Sequence, residues 1–190
     1  MGDDGSGAMA GLAALMARAE RADASPAPVE RWHPAHCGDI DIVIRSDGSW
    51  VHEGTVIGRP ELVRLFSTVL RKDEDGETYL VTPAERLRIT VEDAPFLAVE
   101  MAVEDVDGSP VLTFRTNMGD VVRAGNAHPI RFGARADGFV PYVTVRGRLE
   151  ARLTRPVAFE LAGMLQEDET GPYLMSVSYT HLRAHETLRY

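Results

Sequence analysis

One local pattern occurs twice in this chain, and it limits how a core can be assembled from it. A strand of alternating apolar residues runs into an Asp-Gly turn, a second strand returns, and an Arg-Pro pair opens an amphipathic helix. The first copy spans Ile40 to Leu70, with Asp47-Gly48 and Arg59-Pro60; the second spans Ile130 to Leu165, with Asp137-Gly138 and Arg155-Pro156. Ile40, Ile42 and Ile44 share one face, which is the two-residue period of a half-buried strand. Asp-Gly supplies the positive φ values of a tight hairpin. Pro60 suits the first helical position, where its missing N–H costs nothing. Leu62, Leu65, Phe66 and Val69 then recur as one apolar stripe, and the polar run from Lys72 is expected to end the helix at Gly76. In the second copy the helix presents Val157, Leu161, Met164 and Leu165.

Between the copies the pattern predicts a meander. Leu87, Ile89 and Val91 alternate with polar residues, Phe96 to Val103 pairs with Val111 to Arg115 across Asp107-Gly108, and Val121 to Arg123 follows a turn at Asn117-Met118-Gly119. The expected fold class is α+β: two repeated strand-turn-strand-helix motifs whose antiparallel sheets pack around a shared core, with a cleft between them. The expected organisation is an N-terminal helix and linker over 1–30, a first half with the central meander over 31–118, and a second half over 119–176. Residues 177–190 form a tail: Val177 to Thr187 match the translation of a transposase sequencing adapter, so they are read as a non-native end joined to a shortened chain. His181 and His185, although spaced like metal ligands on a helix, are set aside with it.

At 190 residues and 44% hydrophobic content, the chain can bury a substantial core. Its formal charge of −9 repels nucleic acid and anionic membrane surfaces. A single cysteine, Cys37, excludes an internal disulfide and fits a reducing compartment. No apolar run is long enough to span a bilayer. Ala8 to Ala17 follows Asp3 and Asp4 rather than basic residues, so it reads as an Ala-rich helix and not a secretory signal. A cytoplasmic location follows, with neither nucleic acid nor membrane as partner.

The chain resembles a bacterial family known as domain of unknown function 1285. The resemblance runs from about Trp32 to Leu165 and rests on Trp32-His33-Pro34, Cys37-Gly38, Asp39-Ile40-Asp41-Ile42 and Asp47-Gly48 with Trp50. It continues through Ile57-Gly58-Arg59, Leu80-Val81-Thr82-Pro83, Val91-Glu92-Asp93-Ala94-Pro95-Phe96, Thr116-Asn117 and Pro141-Tyr142-Val143. It implies an α+β protein of two related motifs with a suggested link to ligand binding or signalling, and it carries over no catalytic residues.

Candidate chemistry gathers at a few positions. Arg59 and Arg155 precede helix N-termini, where free N–H groups and the helix dipole attract anions. With Arg146 they would carry the charge of a small anionic ligand, and Trp32 and Trp50 would supply apolar wall; the alternative is internal ion pairing with nearby aspartates. Asp39 and Asp41 share a strand face, and with Glu92 they could hold a divalent cation for hydrolysis, or form a solvated face and a turn. His33, His36, Cys37 and Asp39 have metal-ligand chemistry, but no second pair follows. No glycine-rich phosphate loop or nucleophile elbow is present. The sequence therefore favours a non-enzymatic cytosolic module without a cofactor, binding a small anionic ligand in regulation or signalling. A metal-dependent hydrolase and an interaction module, such as a homodimer formed through an exposed strand, are the alternatives.

Overall fold

The computed structural model describes residues 26–106, 109–135, 138–164, 166–168, 171–176 and 179–183. The expected N-terminal helix, the Asp107-Gly108 turn, Asp137 and Leu165 lie outside the described residues. The chain forms two compact units, residues 1–93 with 147–149 and residues 94–146 with 150–190.

The first unit is a six-stranded sheet of β1 (His36–Ile44), β2 (Trp50–His52), β3 (Thr55–Val56), β4 (Leu70–Lys72), β5 (Thr78–Val81) and β6 (Arg86–Val91), in the order β3-β2-β1-β6-β5-β4. Helix α1 (Pro60–Thr68) joins its two halves. Each half is an antiparallel three-stranded meander, and the two meet where β1 pairs with β6 in parallel. The alternating isoleucines behave as their spacing requires: Ile42 and Ile44 are buried, with Asp39 and Asp41 exposed on the other face. They join Leu65, Phe66, Leu70, Leu80, Leu87, Ile89 and Trp50 in the core.

The second unit holds β7 (Phe96–Val106), β8 (Ser109–Thr116), β9 (Val121–Arg123), β10 (Ile130–Arg135), β11 (Gly138–Arg146) and β12 (Leu149–Leu153), in the order β10-β11-β12-β7-β8-β9. Read from its other end, this is the strand order of the first unit: two meanders meeting at a parallel pair, here β12 with β7. Helix α2 (Arg155–Ala162) follows the second meander and buries Val157 and Leu161. Phe96, Ala98, Phe114, Val143, Ala151 and Leu153 lie in the core. A third sheet of β13 (Gln166–Asp168), β14 (Gly171–Ser176) and β15 (Tyr179–Arg183) completes the described chain.

Three expectations need correction. The two large sheets are mixed, not antiparallel, and strands outweigh the two α-helices found among the described residues. The repeat is present, but by strand order β1 corresponds to β7 and β4 to β10, whereas the sequence pattern aligned the β1 segment with β10. Local hairpin chemistry recurs wherever strands turn, so it cannot identify which hairpin is equivalent to which. Finally, α1 stops at Thr68, not Gly76. The hydroxyls of Ser67 and Thr68 donate to the carbonyls of Arg64 and Leu65, after which Leu70 enters β4. Gly76 sits instead in a hairpin turn at φ 84°.

That turn belongs to a set of three with one geometry. In Arg45–Ser49, Asp73–Glu77 and Thr116–Asp120, the fourth residue's N–H donates to the first carbonyl and the first N–H donates to the fifth carbonyl. The fourth residue is Gly48, Gly76 or Gly119, at φ 85°, 84° and 92°. This is a type I turn closed by a left-handed glycine, the three-residue hairpin loop. It needs one positive φ, so Asp47 is not left-handed as the tight two-residue turn would demand. The two-residue form occurs between β2 and β3, where Glu53 and Gly54 have φ 47° and 75°.

Buried and exposed phenylalanines of the second unit give a direct check of this core. Phe96 is 0% exposed and Phe159, on α2, is 82% exposed. Phe96→Ala should cost about 3–5 kcal/mol in urea unfolding, and Phe159→Ala should stay within about 0.5 kcal/mol of the parent.

Candidate functional site

The β4–β5 turn sets three acids, Asp73, Glu74 and Asp75, beside a buried arginine. Arg71 on β4 is only 7% exposed, so its guanidinium needs protein partners. It finds them in Asp73, through Nε and Nη2, and in the carbonyls of Val29 and Trp32, at 2.9 and 2.7 Å from Nη1. The short 3-10 turn Val29–Arg31 is thereby fastened to the sheet. Asp73 also accepts from Nη1 of Arg86 on β6 at 2.8 Å, so one carboxylate serves two guanidiniums. The Arg86 guanidinium lies 4.8 Å from the centroid of the Tyr79 ring, whose edge contact is His36 at 6.0 Å.

Around these groups lies a cleft of about 400 Å³ in the first unit. Its walls add Glu30, His33 and Arg148, so all eight lining residues among those described are ionisable. Arg148 pairs with Glu74 at 2.8 Å, both side chains more than half exposed. Glu30 stands against Gly147, at φ 51°, where a Cβ would come within 2.8 Å of Glu30 Oε1. Three guanidiniums face four carboxylates, which leaves one negative charge in excess when His33 is neutral.

Of the sequence-predicted residues, His33 lines the cleft and Trp32 contributes its carbonyl; the others lie elsewhere. The Trp32 side chain is half-buried. Trp50 is 1% exposed and stacks on Phe66, a core position and not a wall. Arg59 is exposed, with its carbonyl accepting from the N–H groups of Leu62 and Val63. Arg155 is the exposed first residue of α2, with Thr154 at the N-cap. Arg146, in the second unit, is committed to Asp120 at 2.8 Å and lies over the Phe96 ring at 4.9 Å. Burial pulls its guanidinium below the ordinary value, and Asp120 opposes that pull.

Of the three candidate carboxylates, Asp39 and Glu92 are engaged at separate places and Asp41 is exposed. Asp39 makes a bidentate pair with Arg88, its neighbour across the parallel strands, which holds the carboxyl below its usual range. Glu92 Oε2 accepts from the Ser46 N–H at 2.8 Å and braces the β1–β2 turn. Asp41 is exposed, and its carbonyl takes the Glu53 N–H. Among the described residues no group of three or more His, Cys, Asp or Glu side chains is arranged to hold a metal, so the divalent-cation geometry is not formed there. His36 approaches Asp39 at 3.7 Å, and the Cys37 thiol lies 3.3 Å from the Ala35 carbonyl.

Sequence reasoning missed the cleft, although Asp75-Gly76 carries the same signal as Asp47-Gly48. In both, the aspartate carboxylate accepts from the N–H two residues on, Glu77 at 2.9 Å and Ser49 at 2.8 Å. No helix among the described residues is long and apolar enough to cross a membrane.

Electrostatics at the turn gives a pH signature. The Tyr79 hydroxyl donates to Asp75 Oδ2 at 2.7 Å. That bond, with the Glu77 N–H, lowers the Asp75 carboxyl, and the same bond raises the Tyr79 phenol. As pH falls past the ordinary carboxylate value of 3.8, the unfolded chain takes up the proton first, so the Asp75 contribution is lost through the lower folded value. As pH rises past 10.0, the unfolded phenol ionises first, so the Tyr79 contribution is lost through the higher folded value. Tyr79→Phe should therefore cost stability between about pH 4 and 10 and little outside it, measured as urea midpoints across pH. Arg71→Ala, which strands Asp73 and two carbonyls, should cost about 3–5 kcal/mol at neutral pH.

Comparison with known proteins agrees with the division into units. A family model described as the N-terminal domain of a domain of unknown function (DUF1285) matches residues 27–94, and the C-terminal domain of the same family matches 95–181. The seam falls where the two units divide. Among solved structures, a DUF1285 family protein from Silicibacter pomeroyi DSS-3 is 40% identical with a TM-score of 0.80, over 87% of this chain and 91% of that one. Another, from Shewanella baltica OS155, is 26% identical with a TM-score of 0.51, over 64% of this chain and 90% of that one. Nothing among the curated proteins matches. With both domain models matched in sequence order and a 40% identical relative sharing the fold, this chain belongs to the DUF1285 family.

Proposed function

We propose that the protein is a non-catalytic module that binds a small polar ligand in the first-unit cleft and acts in regulation. The observation that carries this reading is the contrast between the floor and the rim of the cleft. On the floor, Arg71 is buried and Asp73 half-buried, and both are fixed by several hydrogen bonds, which gives a rigid base. At the rim, Glu30, His33, Glu74 and Arg148 are exposed and available. A preorganised base with adaptable charged edges suits recognition of a small molecule. The volume of about 400 Å³ falls within the ligand-pocket range. The wholly ionisable lining disfavours an apolar ligand.

The test is thermal unfolding of the full chain against metals, nucleotides, amino acids and small acids. A ligand at a hundred times its Kd adds about 2.7 kcal/mol, or roughly 5–10 °C for a chain of this size. The expected result is a shift that Arg148→Ala removes and Arg59→Ala leaves intact. A shift removed by Arg59→Ala and untouched by Arg148→Ala would overturn the cleft and return the ligand to the start of α1.

A further inference from the structure

The rim of the cleft is not electrically symmetrical, and this restricts its ligand further. Asp73 is saturated by Arg71 and Arg86, and Asp75 accepts from the Tyr79 hydroxyl and the Glu77 N–H. Glu74 holds Arg148. Glu30 is the cleft carboxylate with no hydrogen-bond or ion-pair partner among the described residues. Its head group lies beside Gly147, where an added Cβ would come within 2.8 Å of Oε1. A cationic group entering the cleft thus meets an acid unpaired among the described residues.

The anion side of the cleft is different. Arg148 and Glu74 are 54% and 86% exposed. Exposed pairs of this kind contribute little, so a ligand carboxylate can take the place of Glu74 on Arg148 at small cost. Arg86 is held to Asp73 through Nη1 and makes no hydrogen bond through Nη2 among the described residues. Arg71 is unavailable, since its donors are turned to Asp73 and two carbonyls. The excess negative charge of the cleft works against a ligand that carries only negative charge, while Arg86 and Arg148 work against one that carries only positive charge.

We infer that the cleft takes a small zwitterion of the α-amino acid class, with its ammonium on Glu30 and its carboxylate on Arg148 and the free Nη2 of Arg86. This rests on the cleft being the ligand site. A ligand with both charges is held at both ends, and either charge alone is opposed.

Isothermal titration of the full chain with each proteinogenic α-amino acid tests this, followed by the Nα-acetyl and carboxamide derivatives of the tightest. At least one amino acid should bind. Acetylation, amidation and Glu30→Gln should each weaken that binding tenfold or more. Because Glu30 and Arg148 are exposed, Glu30→Gln and Arg148→Ala should both stay folded, which an unchanged urea midpoint checks. An Nα-acetyl derivative that binds as well as its parent overturns the zwitterion. So does a set of amino acids that all fail while succinate or inorganic phosphate binds in an Arg148-dependent way, an outcome that leaves the cleft standing as an anion site. If no probe binds in a manner that responds to Arg148→Ala, the zwitterion and the cleft fall together.

Discussion

Two neighbouring strands that run in the same direction cannot be joined by a tight turn, because the chain must travel back along their length first. Each unit of this protein is built around such a pair, β1 with β6 and β7 with β12. The rest of each sheet is the route between the partners, two antiparallel meanders laid outward from the centre and back. Economical turns follow from that route. The recurring five-residue loop reverses the chain with one left-handed glycine, and its aspartate carboxylate can hold the N–H two residues ahead. The parallel pair in the first unit is irregular, with register shifts between His36 and Gly38 and between Asp39 and Val43. Arg88 reaching across to Asp39 ties the strands together within that stretch.

The cleft grows out of the same architecture. Leu70 and Arg71 are adjacent on β4 and face opposite sides of the sheet, yet both are buried. A guanidinium in that position requires a carboxylate and carbonyls, and the following turn and the Val29–Arg31 segment supply them. The hairpin that solves this local problem then displays Glu74 and Asp75 at the rim. The site is therefore a by-product of burying one charge at a sheet edge, with the turn acids left facing the cleft.

Alternation and turn chemistry were legible in the sequence. Ile42 and Ile44 are buried, Leu87 and Ile89 point inward on β6, and Gly48 and Gly119 occupy the turns their neighbours announce. Parallel pairing was not legible, since a period of two is the same in either direction and the partners lie far apart in sequence. The strand β4 was hidden because Arg71 and Lys72 read as a polar helix end, when Arg71 is in fact buried. Arg146 looked free in sequence because Asp120, its partner, is remote along the chain. The family was legible from dispersed motifs, and both domain models bear it out. The cleft was not, because Glu30, Asp73, Arg86 and Arg148 come from four separate segments.

The strand order also determines how each unit would carry a mechanical load. Within the sheet of the first unit the chain starts along β1 and ends along β6, and within that of the second it starts along β7 and ends along β12. Tension applied through these strands pulls adjacent parallel neighbours in opposite directions along their own axes. The cross-strand bonds between His36–Ile44 and Arg86–Val91 are then sheared together, where a terminal hairpin would unzip one bond at a time. Resistance to extension is a rate property, set by the barrier to the first rupture and not by the depth of the native well. The same sheet that builds the cleft thus has the strand geometry of a clamp against stretching.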